Sequence, residues 1–167
     1  MSLFAGKCGL RLGETMGVKW SDLDFKKNIL YVRQQWKLLN ADDNEEYGFG
    51  PLKTENSKRD VPLPNAVKIA LMQYRTSHPI NIDNRVIQLT SVNGAGSNIQ
   101  RAFKRVGYNI SIHELRHTYA TLLIANGVDF KTAANLLGHT VEMTMRTYSH
   151  VTDDMIQRAA NIINNIM

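Results

Sequence analysis

The sequence predicts an α+β fold, mostly helical, with a small antiparallel β-sheet in its first half. Three observations carry this. From Pro64 onward, apolar residues recur at helical spacing in segment after segment, each opened by a capping residue or closed by glycine or proline. Asn28 to Trp36 (NILYVRQQW) is rich in β-branched and aromatic residues. Pro51 to Pro64 (PLKTENSKRDVPLP) sets a polar turn between two short runs, the pattern of a hairpin. A chain of 167 residues can bury one real core and leaves little room for a second domain.

Taken in order, residues 3 to 16 (LFAGKCGLRLGETM) predict a helix stopped at Gly17, with Arg11 and Glu14 three apart and able to pair. Val18 to Asp24 reads as a turn and Asn28 to Trp36 as a strand. The acidic, glycine-bearing stretch 40–50 reads as an exposed connection. In the hairpin, a short strand at Leu52-Lys53 leads through Glu55-Asn56-Ser57 to a return strand at Arg59 to Leu63, with Lys53, Lys58 and Arg59 making its tip basic. A helix runs from Pro64-Asn65 to Ser77, and a short strand spans Arg85 to Leu89. Ser91 to Ser97 is a loop. A helix over Asn98 to Val106 turns Ile99, Ala102, Phe103 and Val106 inward and Arg101, Lys104 and Arg105 outward.

Ser111 opens the next helix with a capping box closed by Glu114. Leu115, Tyr119, Leu122 and Leu123 form its apolar stripe, and Asn126-Gly127 its end. Asp129 caps a helix that stops at Gly138, and Thr140 caps a short one ending near Tyr148. Asp153 to Ile166 predicts a closing helix with an isoleucine stripe, packed on its own core or docked on a neighbouring copy.

Composition narrows the classes. Hydrophobic residues at 43% and charged residues at 21% describe a globular chain rather than a disordered one. A net charge of +5 and a pI near 9.4 point to a polyanionic partner. No apolar run reaches membrane-spanning length and no secretory leader pattern is present. The lone Cys8 excludes an internal disulfide and fits a reducing cytoplasm.

The chemistry concentrates between Ser111 and His150. His113 and Arg116 share a face in the first turn of a helix, where free N–H groups and the helix dipole favour an anion. Arginine adds a planar fork matched to two phosphate oxygens. His139 and Tyr148, nine apart, would diverge on one straight helix, but the Gly138 break lets both turn toward one pocket.

These residues carry a family resemblance. GLRLGE with Arg11 resembles the first-arginine box of the tyrosine recombinase (phage integrase) family, and PLKTENSKRDVPLP with Lys53 its hairpin-lysine box. HELRHTYAT resembles its H-x-L-R-H box, and LLGH and TMRTYSHV its histidine and nucleophile boxes. The boxes come in family order over residues 9 to 150. The resemblance implies a site-specific recombinase or integrase of a mobile element, acting in a bacterial or phage-derived setting on double-stranded DNA. Tyr148 would attack a phosphodiester, Arg11 and Arg116 brace its oxygens, and His113 handle the tyrosine proton. His139 would donate to the phosphate and Lys53 protonate the leaving 5′ oxygen. Glu14 would hold Arg11, and His117 and His150 would orient or pack. Lys58, Arg59, Arg101, Lys104 and Arg105 would meet the DNA backbone. The resemblance implies no cofactor and no metal, and a tetramer on DNA for the full-length protein. It also implies that residues 1–167 are one catalytic domain, a fragment without the core-binding domain and first catalytic helix that precede it in the family.

Two other readings compete. His113, Glu114 and His117 spell the H-E-x-x-H of zinc peptidases. Arg116 would put a fixed cation beside such a metal, Ala120 and Leu123 fill the later places of the extended pattern, and Glu114 is already used as a cap. The other is a DNA-binding module of the same fold that does no chemistry.

Overall fold

The computed structural model describes residues 1–40 and 45–149, together with 151, 156, 160 and 163. Ser2–Cys8 forms α1 and Leu12–Gly17 forms α2, so the single helix expected over 3–16 is split. Gly9 splits it. Its φ of 67° ends α1 in the left-handed region, and a Cβ there would lie 2.6 Å from the Tyr119 ring. Arg11 is thereby extended at the N-cap of α2. The carboxylate of Glu14, in the first turn, accepts from the Arg11 backbone N–H at 2.9 Å.

A 3₁₀ turn at Trp20–Asp22 leads, among the described residues, into five strands: β1 (Leu23–Asp24), β2 (Ile29–Val32), β3 (Gln35–Asn40), β4 (Glu46–Gly50) and β5 (Arg59–Pro62). They form two antiparallel sheets, one ordered β1-β2-β5 and the other β3-β4. The strand expected from Asn28 to Trp36 breaks at Arg33-Gln34. The Gln34 side-chain amide donates to the Gly17 carbonyl at 3.0 Å and to Asp22 Oδ2 at 2.7 Å, and the chain changes sheets there. The connection expected over 40–50 contains β4, whose polar composition hid a pair of aromatics. Phe49 meets Trp36 edge-on, with ring centroids 5.2 Å apart; 41–44 lie outside the described residues. The hairpin expected at Lys53 is also corrected. The return strand exists as β5, but it pairs with β2, placing Val61 opposite Leu30. Leu52 and Lys53 belong to no strand and lead into a 3₁₀ turn at Glu55–Ser57.

The helices that follow are α3 (Asn65–Ser77), α4 (Val92–Arg105), α5 (Ile112–Ala125), α6 (Phe130–Leu137) and α7 (Val141–Tyr148). The expected strand at Arg85 to Leu89 reduces to a bridge between Arg85 and Lys19. The expected loop over Ser91 to Ser97 is the start of α4. Ser91 caps it through the Gly94 N–H at 3.1 Å, and buried Ala95 anchors a stretch of low helix propensity. On α4, Ala102 and Val106 are exposed rather than inward. On α5 the buried face is Ile112, Arg116, Ala120 and Ile124, rotated from the expected stripe, and Leu122 is exposed. The closing helix falls outside the described residues except at 156, 160 and 163, where Ile156 and Ile163 are exposed.

Among the described residues, two apolar clusters form the core. The larger joins α1, the sheets and α3 through Phe4, Leu10, Leu30, Val61 and Val67. The smaller joins α5, α6 and α7 through Ala120, Ile124, Ala133, Leu137 and Tyr148. Burying each large side chain contributes about 1.5–3 kcal/mol. Buried Glu14, Arg59 and Arg116 bond across from one cluster's segments to the other's.

Candidate active site

The site is built around a carboxylate. Glu14, 2% exposed, binds Arg59 through both oxygens, at 3.1 Å to Nη1 and 2.9 Å to Nη2. Its Oε1 accepts from Arg11 Nη1 at 2.8 Å, and Arg116 Nη1 lies 3.8 Å from its Oε2. Burial alone would raise the Glu14 pKa. The hydrogen bonds and charge of Arg59, then of Arg11, hold it down at about 2. Three guanidinium charges against one carboxylate leave an excess of two positive charges, so the cluster is electrostatically complete only with an anion beside it.

Arg11 reaches this cluster from the N-cap of α2. It donates from Nη1 to Ser57 Oγ at 3.3 Å and from Nη2 to the Gly138 carbonyl at 3.0 Å. Gly138, at φ 63°, ends α6, and a Cβ there would press at 3.0 Å on Arg59 Nη1 and the Ser57 backbone. That turn delivers His139. Arg116 donates to the Gly9 and Leu137 carbonyls and, at 2.9 Å, meets His139 Nε2. A guanidinium offers only donors, so Nε2 accepts and the neutral ring carries its proton on Nδ1. Nδ1 is buried, and among the described residues it meets no acceptor. Burial first, then the charges of Arg116, Arg11 and Arg59, push the His139 pKa down to about 4. His139 is therefore a neutral donor at pH 7. Burial and the other arginines also lower Arg116, to about 9, which leaves it charged at neutral pH.

Arg11, Lys53 and His139 line one cleft of about 300 Å³, with Thr54, Asn56, Gly138, Thr140 and Met143. Arg116 lies beneath it, bonded to His139. Arg11 also lines a second cleft with His113, Gln35, Lys37 and Asn93. His117 opens on a third, with Glu114, Thr118 and Leu122. The two histidines of H-E-x-x-H thus face different clefts. Glu114 is held by its cap, accepting from the Ser111 N–H at 2.6 Å.

Tyr148 is only 2% exposed, at the end of α7. Its hydroxyl lies 2.8 Å from His117 Nδ1, with ring centroids 5.9 Å apart. Burial raises its pKa, and the charge of Arg116 partly offsets that. The structure therefore gathers Arg11, Lys53, His139 and Arg116, sets His113 beyond Arg11, and turns the Tyr148 hydroxyl toward His117. The common pocket expected for His139 and Tyr148 is not formed. His150 lies outside the described residues.

Of the residues expected on DNA, Lys58, Arg101, Lys104 and Arg105 are exposed. Arg59 is corrected. At 8% exposure it spends its guanidinium on Glu14, the Leu136 carbonyl at 2.8 Å and the Ser57 carbonyl at 2.8 Å. The sequence held the signal. Arg59 alternates in phase with Val61, so a strand that buries Val61 buries Arg59 too. Ser57 and Thr54, whose hydroxyls lie 2.9 Å apart and link the Lys53 segment to Arg11, had no such signal.

A cationic cleft over a buried arginine–carboxylate cluster, on this α+β frame, is a site suited to an anion. Comparison with known proteins supplies the lineage: the model of the phage integrase family matches residues 1–155, and the chain belongs to that family. It is 29% identical to a tyrosine recombinase XerC-like protein of Caldanaerobacter subterraneus subsp. tengcongensis, covering 98% of this chain and 48% of that one. It is also 29% identical to the tyrosine recombinase XerC of Pediococcus pentosaceus, covering 90% of this chain and 48% of the relative. The chain thus spans about half the length of these relatives. Among solved structures, the Tn1549 transposon integrase in complex with circular intermediate DNA superposes with a TM-score of 0.73 at 24% identity, covering 97% of this chain and 58% of that one. The XerA recombinase superposes with a TM-score of 0.69 at 23% identity, covering 95% and 56%. These superpositions establish the tyrosine recombinase catalytic fold.

Proposed function

We propose that this chain carries the catalytic site of a site-specific DNA recombinase that breaks and rejoins strands through a 3′-phosphotyrosyl intermediate, in the integration or excision of a mobile element. The observation that carries the reading is the cleft shared by Arg11, Lys53 and His139 above buried Arg116, with positive charge in excess. Family membership and the recombinase and integrase names of its relatives support it.

In this reading Tyr148 is the nucleophile. DNA binding draws its hydroxyl from the buried position toward the cleft. Its proton passes to His117 Nδ1, its hydrogen-bond partner here, as the hydroxyl leaves that buried position. The tyrosine oxygen attacks phosphorus, the bond from phosphorus to O5′ breaks, and Lys53 Nζ gives a proton to the leaving O5′. Arg11 and Arg116 offset charge on the non-bridging oxygens, and His139 donates from Nδ1. His113, the proton carrier by family resemblance, sits across Arg11 and is assigned contact with the adjoining backbone. The ester keeps the energy of the broken bond, so a 5′ hydroxyl of another strand can reverse the step without a nucleotide cofactor. Lys58, Arg101, Lys104 and Arg105 follow the duplex, and the full-length protein works as a tetramer.

The test is a nicked duplex whose cleaved end diffuses away, carrying a site selected from random DNA by binding. A protein–DNA adduct that survives SDS and vanishes in Tyr148→Phe supports the reading. Binding without adduct by the full-length protein favours a silent DNA-binding module.

A further inference from the structure

Arg59 is a buried cation beside the cleft that the proposed chemistry leaves without a task. Its five contacts fall on three segments, each next to a residue of the cleft. Nη1 and Nη2 take both oxygens of Glu14, and Nη2 also lies 3.5 Å from the Gly9 carbonyl, two residues before Arg11. Nη1 donates to the Ser57 carbonyl, on the turn that follows Lys53. Nε donates to the Leu136 carbonyl, at the end of the helix that delivers His139. These contacts span up to 77 positions of chain.

We propose that Arg59 is a positioning residue: by occupying both oxygens of Glu14 while holding the Ser57 and Leu136 carbonyls, it fixes the aim of Arg11, Lys53 and His139 at one phosphate. This rests on the recombinase reading above. The geometry gives the reason. A carboxylate amid three guanidinium groups binds whichever approach it best. With Arg59 on its bidentate face, Glu14 keeps a single oxygen contact with the Arg11 side chain and stands 3.8 Å from Arg116. Without Arg59, that face is open to Arg11 and Arg116, which would turn inward, away from substrate. Lysine keeps the charge at position 59 but cannot make two parallel bonds to one carboxylate and a third, from Nε, to a separate carbonyl.

The experiment uses Arg59→Lys and Arg59→Met in the full-length protein, with two readouts. The first is single-turnover cleavage of the nicked duplex across pH, beside DNA affinity. Both variants should cleave at least 100-fold more slowly while binding DNA within about threefold of wild type. The acidic limb of the Arg59→Met profile should move to higher pH, because Glu14 then protonates more easily. The second is Glu14 ionisation, read by carbon-13 NMR of labelled glutamate carboxyls. In Arg59→Met it should titrate at least one pH unit higher than in wild type. If Arg59→Met fails to fold, Arg59→Lys carries the cleavage test and the NMR is read on it. Cleavage within threefold of wild type, or equal loss of binding and cleavage, overturns the proposal, as does an unmoved Glu14. A wild-type protein that forms no adduct sinks the recombinase reading instead, and the carboxyl titration still decides the place of Arg59.

Discussion

Replacing Glu14 with glutamine removes the carboxylate that faces three guanidinium groups and leaves the shape of the site almost unchanged. The magnitude follows from its pKa. Glu14 titrates near 2 rather than at its usual 4.5. At about 1.4 kcal/mol per unit, that gap corresponds to roughly 3 kcal/mol of stability at neutral pH. Removing one partner of a buried pair costs about 3–5 kcal/mol by general experience, since the cations left behind stay desolvated. The sign is fixed by the depressed pKa. The contribution is complete above pH 4.5, where the unfolded chain is also ionised, and is lost as pH falls through 2. Urea unfolding of wild type and Glu14→Gln at pH 7, 5 and 3 reads this directly. The gap between them should be about 3 kcal/mol at pH 7 and 5 and roughly half that at pH 3. Wild type carries a second, earlier slope from His139, whose folded form stays neutral down to about pH 4 and so loses stability from pH 6.5 downward. Both proteins share that slope above about pH 4, where the folded ring is neutral in each, so it cancels at pH 7 and 5; below that, loss of the Glu14 charge lowers His139 further in the variant and offsets part of the narrowing at pH 3. A gap below about 1 kcal/mol at pH 7, or one that does not shrink at pH 3, would refute the claim that Glu14 neutralises this cluster.

Gly138→Ala should cost about 1–3 kcal/mol in urea unfolding, because alanine must hold φ 63° and press on Arg59 and Ser57; it should also slow cleavage, since Gly138 carries an acceptor of Arg11. Lys53→Ala should slow cleavage of ordinary DNA but not of a duplex with sulfur at the 5′ bridging position, whose leaving group needs no acid; an equal loss on both removes Lys53 from that role. His117→Gln and His113→Gln separate the two histidines. If His117 takes the tyrosine proton, its variant alone should regain cleavage when imidazole is added, and rescue of His113→Gln instead would return that task to His113.

Much of the fold was legible because local chemistry and global structure agree. The caps at Ser111, Asp129 and Thr140 open the helices they announce. The misses share a cause. β4 and the first turn of α4 are strand and helix against local propensity, held by Phe49 on Trp36 and by Ala95 in the core, contacts that connect distant parts of the chain. The same holds within the site. Arg11 and Glu14 pair as neighbours do, and their spacing foretold it. That Arg116 spends itself on the Gly9 and Leu137 carbonyls and on His139, or that Tyr148 meets His117, depends on how α5 is seated against α1, α6 and α7. No local pattern encodes that.

The carbonyl contacts of Arg116 and Arg59 have a consequence for how the protein is made. Arg116 ties α5 to Gly9 across 107 positions, and Arg59 reaches Glu14 across 45 and Leu136 across 77. Closing such loops costs entropy that is recovered only when the native packing is in place. The cationic frame thus depends on the native packing being in place. In the recombinase reading, a chain emerging from the ribosome, or one partly unravelled by damage, would hold its tyrosine without the clamps that activate it. If the proposed chemistry holds, spreading the arginine frame over distant segments would make DNA cleavage conditional on a finished fold, a proofreading built into the topology.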